Sequence, residues 1–268
     1  MPLWIALVLG IVEGLTEFLP VSSTGHLVVV DRLLGGGSEG HASYDIVIQL
    51  GAVLAVLIHY RKLLLERASG VLRRDPIAVR LLLALIIAFL PVAVLGLLVR
   101  HAVKQYLFGL TPVAAALIVG GILMVAVERW RRAHPERREL EGLEHVTPRR
   151  ALLIGLGQCA ALWPGTSRSM STIVTGQLAG LSTATAAEFS FLLALPALGA
   201  ATVFEGVKAR HELLSGAGGA ALAVGLVTSF LVAWAALATF LSYVKRRGLE
   251  PFGIYRILLG IVIIAFLR

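Results

Sequence analysis

Long apolar runs separated by short basic or polar stretches set the pattern of this chain. Runs of membrane-spanning length, roughly twenty residues for a hydrocarbon core near 30 Å, fall at 44–60, 79–99, 111–130, 186–206, 218–243 and 252–268. Each predicts a transmembrane helix. Two further apolar stretches, 1–19 and 150–163, run instead into clusters of Pro, Ser, Thr and Gly, at Leu19 to His26 and Trp163 to Ser169. Backbone broken at membrane depth is tolerated only where protein or a water-filled cavity satisfies the freed polar groups, so these two predict re-entrant helix pairs. The first segment does not read as a cleavable signal. It has no basic start, continues into Glu13 and Glu17, and lacks a convincing small-residue cleavage site.

Composition agrees with a membrane protein and against a soluble one. Of 268 residues, 57% are hydrophobic and only 15% charged, too few to cover the surface of a soluble protein of this size, and mean hydropathy is +0.86. The single cysteine, Cys159, excludes a disulfide framework and a Cys-based metal site. A formal charge of +8 would suggest nucleic acid in a soluble chain. Here it is expected to come from cytoplasmic loops held against an anionic leaflet, with no nucleic-acid partner.

Basic residues orient the spans. Sixteen of the 24 lysines and arginines fall at Arg61 to Arg80, Arg129 to Arg150 and Lys245 to Arg247, which places these loops in the cytoplasm. Both termini are then outside, the first broken segment enters from outside, and the second enters from the cytoplasm. The expected architecture is all-α, with about six transmembrane helices and two re-entrant pairs in an inverted-topology repeat. The first repeat spans 1–130, a cytoplasmic linker 131–149, and the second repeat 150–268. A shift of 144 residues lays Pro20 on Pro164, Ser22 on Thr166 and Ser23 on Ser167. The identities are few, and the order of elements carries more of the argument.

Ionisable groups within the membrane are costly and mark function. Glu13 and Glu17 lie one turn apart on one helix face; a buried pair needs a cation or proton between them, whereas a pair at a helix end would simply face water. Ser22, Ser23 and Thr24 precede a helix start whose free amides and positive dipole end suit phosphate. His26, three residues beyond Ser23, could share its face and exchange a proton with the hydroxyl or with a leaving oxygen. Arg168, between Thr166, Ser167 and Ser169 and following Gly165, supplies a permanent charge that binds phosphate bidentately, with the hydroxyls and amides completing an anion cradle. Arg168 could equally form a salt bridge to Glu13 or Glu17 that only locks the two hairpins together, and both can hold when substrate is absent. Asp45 and Glu188 are expected to cap their helices, and Arg256 to snorkel to cytoplasmic headgroups. No Walker A motif, nucleotide loop or carboxylate-rich metal cage is present, which disfavours an ATP-driven pump. A divalent ion, Mg²⁺ or Ca²⁺, recruited by Glu13 and Glu17 through water, stays open.

The stretch from Glu13-Gly14-Leu15-Thr16-Glu17 through Ser22-Ser23-Thr24-Gly25-His26, together with Pro164-Gly165-Thr166-Ser167-Arg168-Ser169, resembles the undecaprenyl-pyrophosphate phosphatases of the bacitracin-resistance type. Tyr44 to Gly51 and Ala187 to Leu193 are similar to that family too, and the similarity covers essentially the whole chain. The resemblance implies removal of the terminal phosphate of a 55-carbon isoprenoid diphosphate to regenerate the monophosphate carrier of cell-wall precursors. It also implies a multi-pass place in the bacterial plasma membrane, with the site open to the outer side. All the family's motif positions are matched.

On that basis Glu17, Ser23, His26 and Arg168 are the expected catalytic residues, and Glu13, Ser22, Thr24, Gly165, Thr166, Ser167 and Ser169 the expected substrate-binding ones. The partners are a polyprenyl diphosphate and the bilayer, with a homodimer left open. Ser23 is the expected nucleophile, activated by His26 and oriented by Glu17; in the competing form His26 or Glu17 activates water directly. The rival class is a lipid-phosphate transporter using the same midplane site.

Overall fold

The computed structural model describes residues 1–34, 42–107, 109–136, 139–211 and 218–267. Its helices are α1 (Leu3–Thr16), α2 (Ser23–Leu33), α3 (Ala42–His59), α4 (Arg61–Leu72), α5 (Pro76–Tyr106), α6 (Leu110–Ala133), α7 (Pro148–Gln158), α8 (Arg168–Leu178), α9 (Thr183–Lys208), α10 (Gly218–Arg247) and α11 (Glu250–Phe266). Local sequence explains many of their starts. Asp75, Thr147 and Ser182 cap α5, α7 and α9 through hydrogen bonds accepted from Ala78, Arg150 and Thr185 amides, and Pro76 and Pro148 occupy first-turn positions, where no donor is lost.

Among the described residues, four helices are long and apolar enough to cross a membrane: Pro76–Val103, Leu110–Ala133, Thr183–Lys208 and Gly218–Arg247. A fifth span results if α3 and α4, bent by 72°, count as one. The chain is therefore a multi-pass membrane protein. The stretch expected as the loop 61–80 carries α4, a short helix with no buried residue. Arg100, between the expected spans 79–99 and 111–130, lies inside α5, which runs on to Tyr106; part of the linker, Arg137 and Arg138, and Arg268 of the last expected span lie outside the described residues. Large apolar side chains such as Leu97 and Leu98 stand exposed on α5, as lipid-facing positions should.

Helix pairing alternates between the halves: α1 packs on α10, α7 on α5, α3 on α9, and α6 on α11. Small residues permit the close crossings. A Cβ on Gly14 would come within 2.5 Å of the Ser229 carbonyl of α10, and one on Gly155 within 2.6 Å of the Ala88 carbonyl of α5. The linker is stitched down: Leu140 bridges Leu181 between α8 and α9, Arg131 donates to Thr183 at 2.7 Å and pairs with Glu139, and Arg129 and Arg132 reach Glu250 at 2.9 and 2.7 Å.

Candidate active site

Two helix starts build the site. After α1 the chain turns through residues 17–21 and enters α2 at Ser22, whose φ of 75° lies in the left-handed region while its hydroxyl accepts the Gly25 amide at 3.2 Å. After α7 it turns through 163–166 and enters α8 at Ser167, with φ of 73° and the same bond, from the Met170 amide at 3.2 Å. A serine in this conformation is strained and persists only where the surroundings hold it. The two cap serines, 145 residues apart, share the same conformation and the same hydrogen bond. First-turn amides have no partner within their own helix, so Ser23, Thr24, Arg168 and Ser169 present free N–H donors at two positive dipole ends.

A cavity of about 160 Å³ lies between these starts, lined by Glu17, Ser22, Ser23, Thr24, Gln49, Gly165, Ser167 and Arg168 among others. Glu17 bridges the two loops. One oxygen accepts the Ser23 hydroxyl at 2.6 Å and the other accepts Arg168 Nη2 at 3.1 Å, with both carboxylate and hydroxyl buried. Arg168 Nη1 donates to the Ser190 carbonyl and hydroxyl at 2.9 and 3.3 Å, and Ser190 is itself braced by Thr172 at 2.6 Å. The guanidinium lies 5.8 Å from the centre of the Phe18 ring, a favourable cation–π placement. Its Nε is buried without a partner, so a donor is left over for an anion.

Other expected site residues sit off the cavity. Ser169 is fully buried and donates to the Leu19 carbonyl at 2.9 Å, tying the two loops together. Thr166 lines a separate, apolar cleft. Glu13 is fully buried, and neither of its carboxylate oxygens has a hydrogen-bond partner. His26 does not engage Ser23: Nδ1 is 2.7 Å from the Ser22 carbonyl and Nε2 is 2.6 Å from the Tyr255 hydroxyl. The shared face expected for Ser23 and His26 is thus replaced by a Ser23–Glu17 pair.

Two further expectations are corrected. Arg256 does not snorkel: it is fully buried and donates to the Pro20, Ala116 and Gly165 carbonyls at 3.1, 3.2 and 3.0 Å, and to Leu117 at 3.4 Å. It binds both broken loops from α11, because freed carbonyls at membrane depth need donors more than a headgroup needs a cation. Glu188 does not cap α9; Ser182 does, and Glu188 lies deeper in the helix. Asp45 is in the first turn of α3, with Oδ1 buried and partnerless. Sequence reasoning missed Ser190 as a partner of Arg168, although it lies in the family-like stretch Ala187 to Leu193, and missed Thr172 behind it and Tyr255 beside His26, whose local patterns are those of ordinary helix residues.

A divalent ion fits Glu13. Its carboxylate, buried one turn from Glu17, has two oxygens with no hydrogen-bond partner, the donor set a divalent ion would use. No group of three or more His, Cys, Asp or Glu suited to a metal occurs among the described residues, so remaining ligands would come from substrate phosphate and water, the usual mode for Mg²⁺.

A sequence model of the family described as Bacitracin resistance protein BacA matches residues 6–262. The chain belongs to that family. It is 59% identical over 260 residues to the Undecaprenyl-diphosphatase of Sorangium cellulosum (strain So ce56), covering 97% of this chain and 84% of that protein. It is 44% identical over 259 residues to the Undecaprenyl-diphosphatase of Thermoanaerobacter pseudethanolicus (strain ATCC 33223 / 39E), covering 97% and 94%. Identity is also 44% over 268 residues to Undecaprenyl-diphosphatase 1 of Stutzerimonas stutzeri (strain A1501), covering 99% and 95%.

Proposed function

We propose that this chain is a membrane phosphatase that hydrolyses undecaprenyl diphosphate to the monophosphate and inorganic phosphate, recycling the lipid carrier for cell-wall synthesis and thereby conferring bacitracin resistance. The observation that carries this reading is Glu17, which holds the Ser23 hydroxyl on one oxygen and Arg168 on the other inside a cavity flanked by two helix starts. Relatives 44–59% identical bear the name of that activity.

The diphosphate enters between the helix starts, where the free amides, the Arg168 guanidinium and the Ser167 hydroxyl meet its charge; phosphoryl transfer depends chiefly on such positioning and charge stabilisation. Ser23 Oγ attacks the terminal phosphorus as its proton passes to Glu17. The bond to the bridging oxygen breaks, and the lipid monophosphate leaves. The departing monophosphate takes the proton from Glu17, which, again a carboxylate, deprotonates the water that hydrolyses the phosphoserine, and the proton returns to Ser23 Oγ as phosphate leaves. In the competing form Glu17 activates water directly. Mg²⁺ or Ca²⁺ held by Glu13, with Glu17 beside it, would neutralise diphosphate charge. The isoprenoid tail runs into the apolar cleft of about 590 Å³ walled by Leu95, Val99, Leu123, Leu162 and Trp163, which reaches Thr166 next to the polar cavity.

Six spans with two re-entrant pairs, an inverted repeat and an outward-opening site complete the reading. The matching serine caps, the exchanged pairing of α1 with α10 and α7 with α5, and the basic residues near Arg61 and Arg129 support it. A lipid-phosphate transporter would not need a serine hydroxyl bound to a buried carboxylate. The test is phosphate release from undecaprenyl diphosphate by purified protein in detergent, comparing wild type with Arg168→Ala. Release that disappears in the variant is expected; no release from folded wild type overturns the reading.

A further inference from the structure

His26 is held from both sides. The Ser22 carbonyl, 2.7 Å from Nδ1, can only accept, so Nδ1 carries the ring proton. In the neutral imidazole Nε2 is then the acceptor, and the Tyr255 hydroxyl at 2.6 Å donates to it. The two rings stack nearly parallel, 9° apart in plane with centroids at 5.6 Å. The only basic nitrogen of His26 is therefore occupied by α11 and is not offered to Ser23. The Ser22 carbonyl receives a second donor, the His26 backbone amide at 3.2 Å.

We propose that Tyr255 is a positioning residue for this site, and that His26 acts through its Nδ1 proton as a strut. By holding Nε2, Tyr255 fixes the tautomer and the ring plane that let Nδ1–H grip the Ser22 carbonyl. That grip keeps Ser22 in its left-handed conformation, which aims the first turn of α2 and the Ser23 hydroxyl into the cavity. The adjacent Arg256 secures Pro20 and Gly165 from the same helix turn, so consecutive residues of the last helix brace both broken loops. The proposal rests on the phosphatase reading of the cavity for its consequence in catalysis, though not for the tautomer itself.

Histidine-selective ¹⁵N NMR of the purified protein in detergent tests it first, with the His26 signal assigned by its loss in His26→Asn. Wild type is expected to show the Nδ1–H tautomer with a hydrogen-bonded Nε2. Tyr255→Phe, which keeps the ring and removes the hydroxyl, should shift the Nε2 resonance toward that of a free acceptor and lower kcat by about tenfold with KM little changed, the scale seen when a group orienting another is lost. A side-chain amide in place of the imidazole can still donate to the Ser22 carbonyl, so His26→Asn should recover most of the turnover lost in His26→Ala. An Nε2–H tautomer in wild type, an unmoved Nε2 signal in Tyr255→Phe, or His26→Asn as inactive as His26→Ala would overturn the proposal. Absence of any phosphatase activity alongside the expected tautomer would instead defeat the phosphatase reading and leave the strut intact.

Discussion

Glu17 and Arg168, 151 residues apart in sequence, meet at 3.1 Å, the carboxylate buried and the guanidinium largely so. The pair joins the first broken loop to the second, and the second Glu17 oxygen is what holds the Ser23 hydroxyl. Locking the hairpins and holding the Ser23 hydroxyl are thus one arrangement, so a salt bridge from Arg168 to Glu17 is compatible with a place for both in the site.

Ser23→Ala and Glu17→Gln should each lower kcat by at least about a hundredfold, the scale of lost nucleophile or base assistance. Because the two act as a unit, the double variant should be hardly worse than either single one. Quenched reactions with terminally ³²P-labelled diphosphate should trap a phosphoserine in wild type only. A Ser23→Ala enzyme of near-normal turnover would establish the direct-water form.

Arg168→Lys should lose about a hundredfold or more in kcat/KM despite keeping the charge. A single ammonium cannot hold Glu17, span to Ser190 and still present a donor to phosphate, whereas the planar fork does all three. Steady-state kinetics on folded variant protein checks this, and activity within fivefold of wild type would contradict it.

Arg256→Met should destabilise the fold by at least about 2 kcal/mol, because buried carbonyls of both broken loops lose their donors. Gly120→Ala should act in the same direction, since its Cβ would lie 2.3 Å from Arg256 Nη2. Thermal unfolding in detergent reads both; unchanged midpoints would show that water satisfies those carbonyls instead.

Chelation with EDTA should reduce phosphate release, and added Mg²⁺ or Ca²⁺ should restore it. Glu13→Gln should blunt the response to added ion more than it alters folding, because Glu13 makes no hydrogen bond whose loss would matter. Titrating each ion against turnover in both proteins measures the difference, and identical ion dependence would remove Glu13 from the ion site.

What the sequence by itself determined is what repeats locally. Apolar run length placed α5, α6, α9 and α10, and Pro, Ser and Gly clusters at the ends of apolar runs marked both broken loops. The motif carried by Glu13 to His26 and Gly165 to Ser169 pointed to the family. Helical periodicity could put Ser23 and His26 on one face, yet it could not say which neighbour each would find. The tertiary structure gave Ser23 to Glu17, gave His26 to Tyr255, and turned Arg256 from a surface anchor into a donor for both loops. The reason is physical: broken backbone inside a membrane must find its partners across the fold, and those partners, at separations such as the 236 residues between Pro20 and Arg256, leave no periodic trace in the chain.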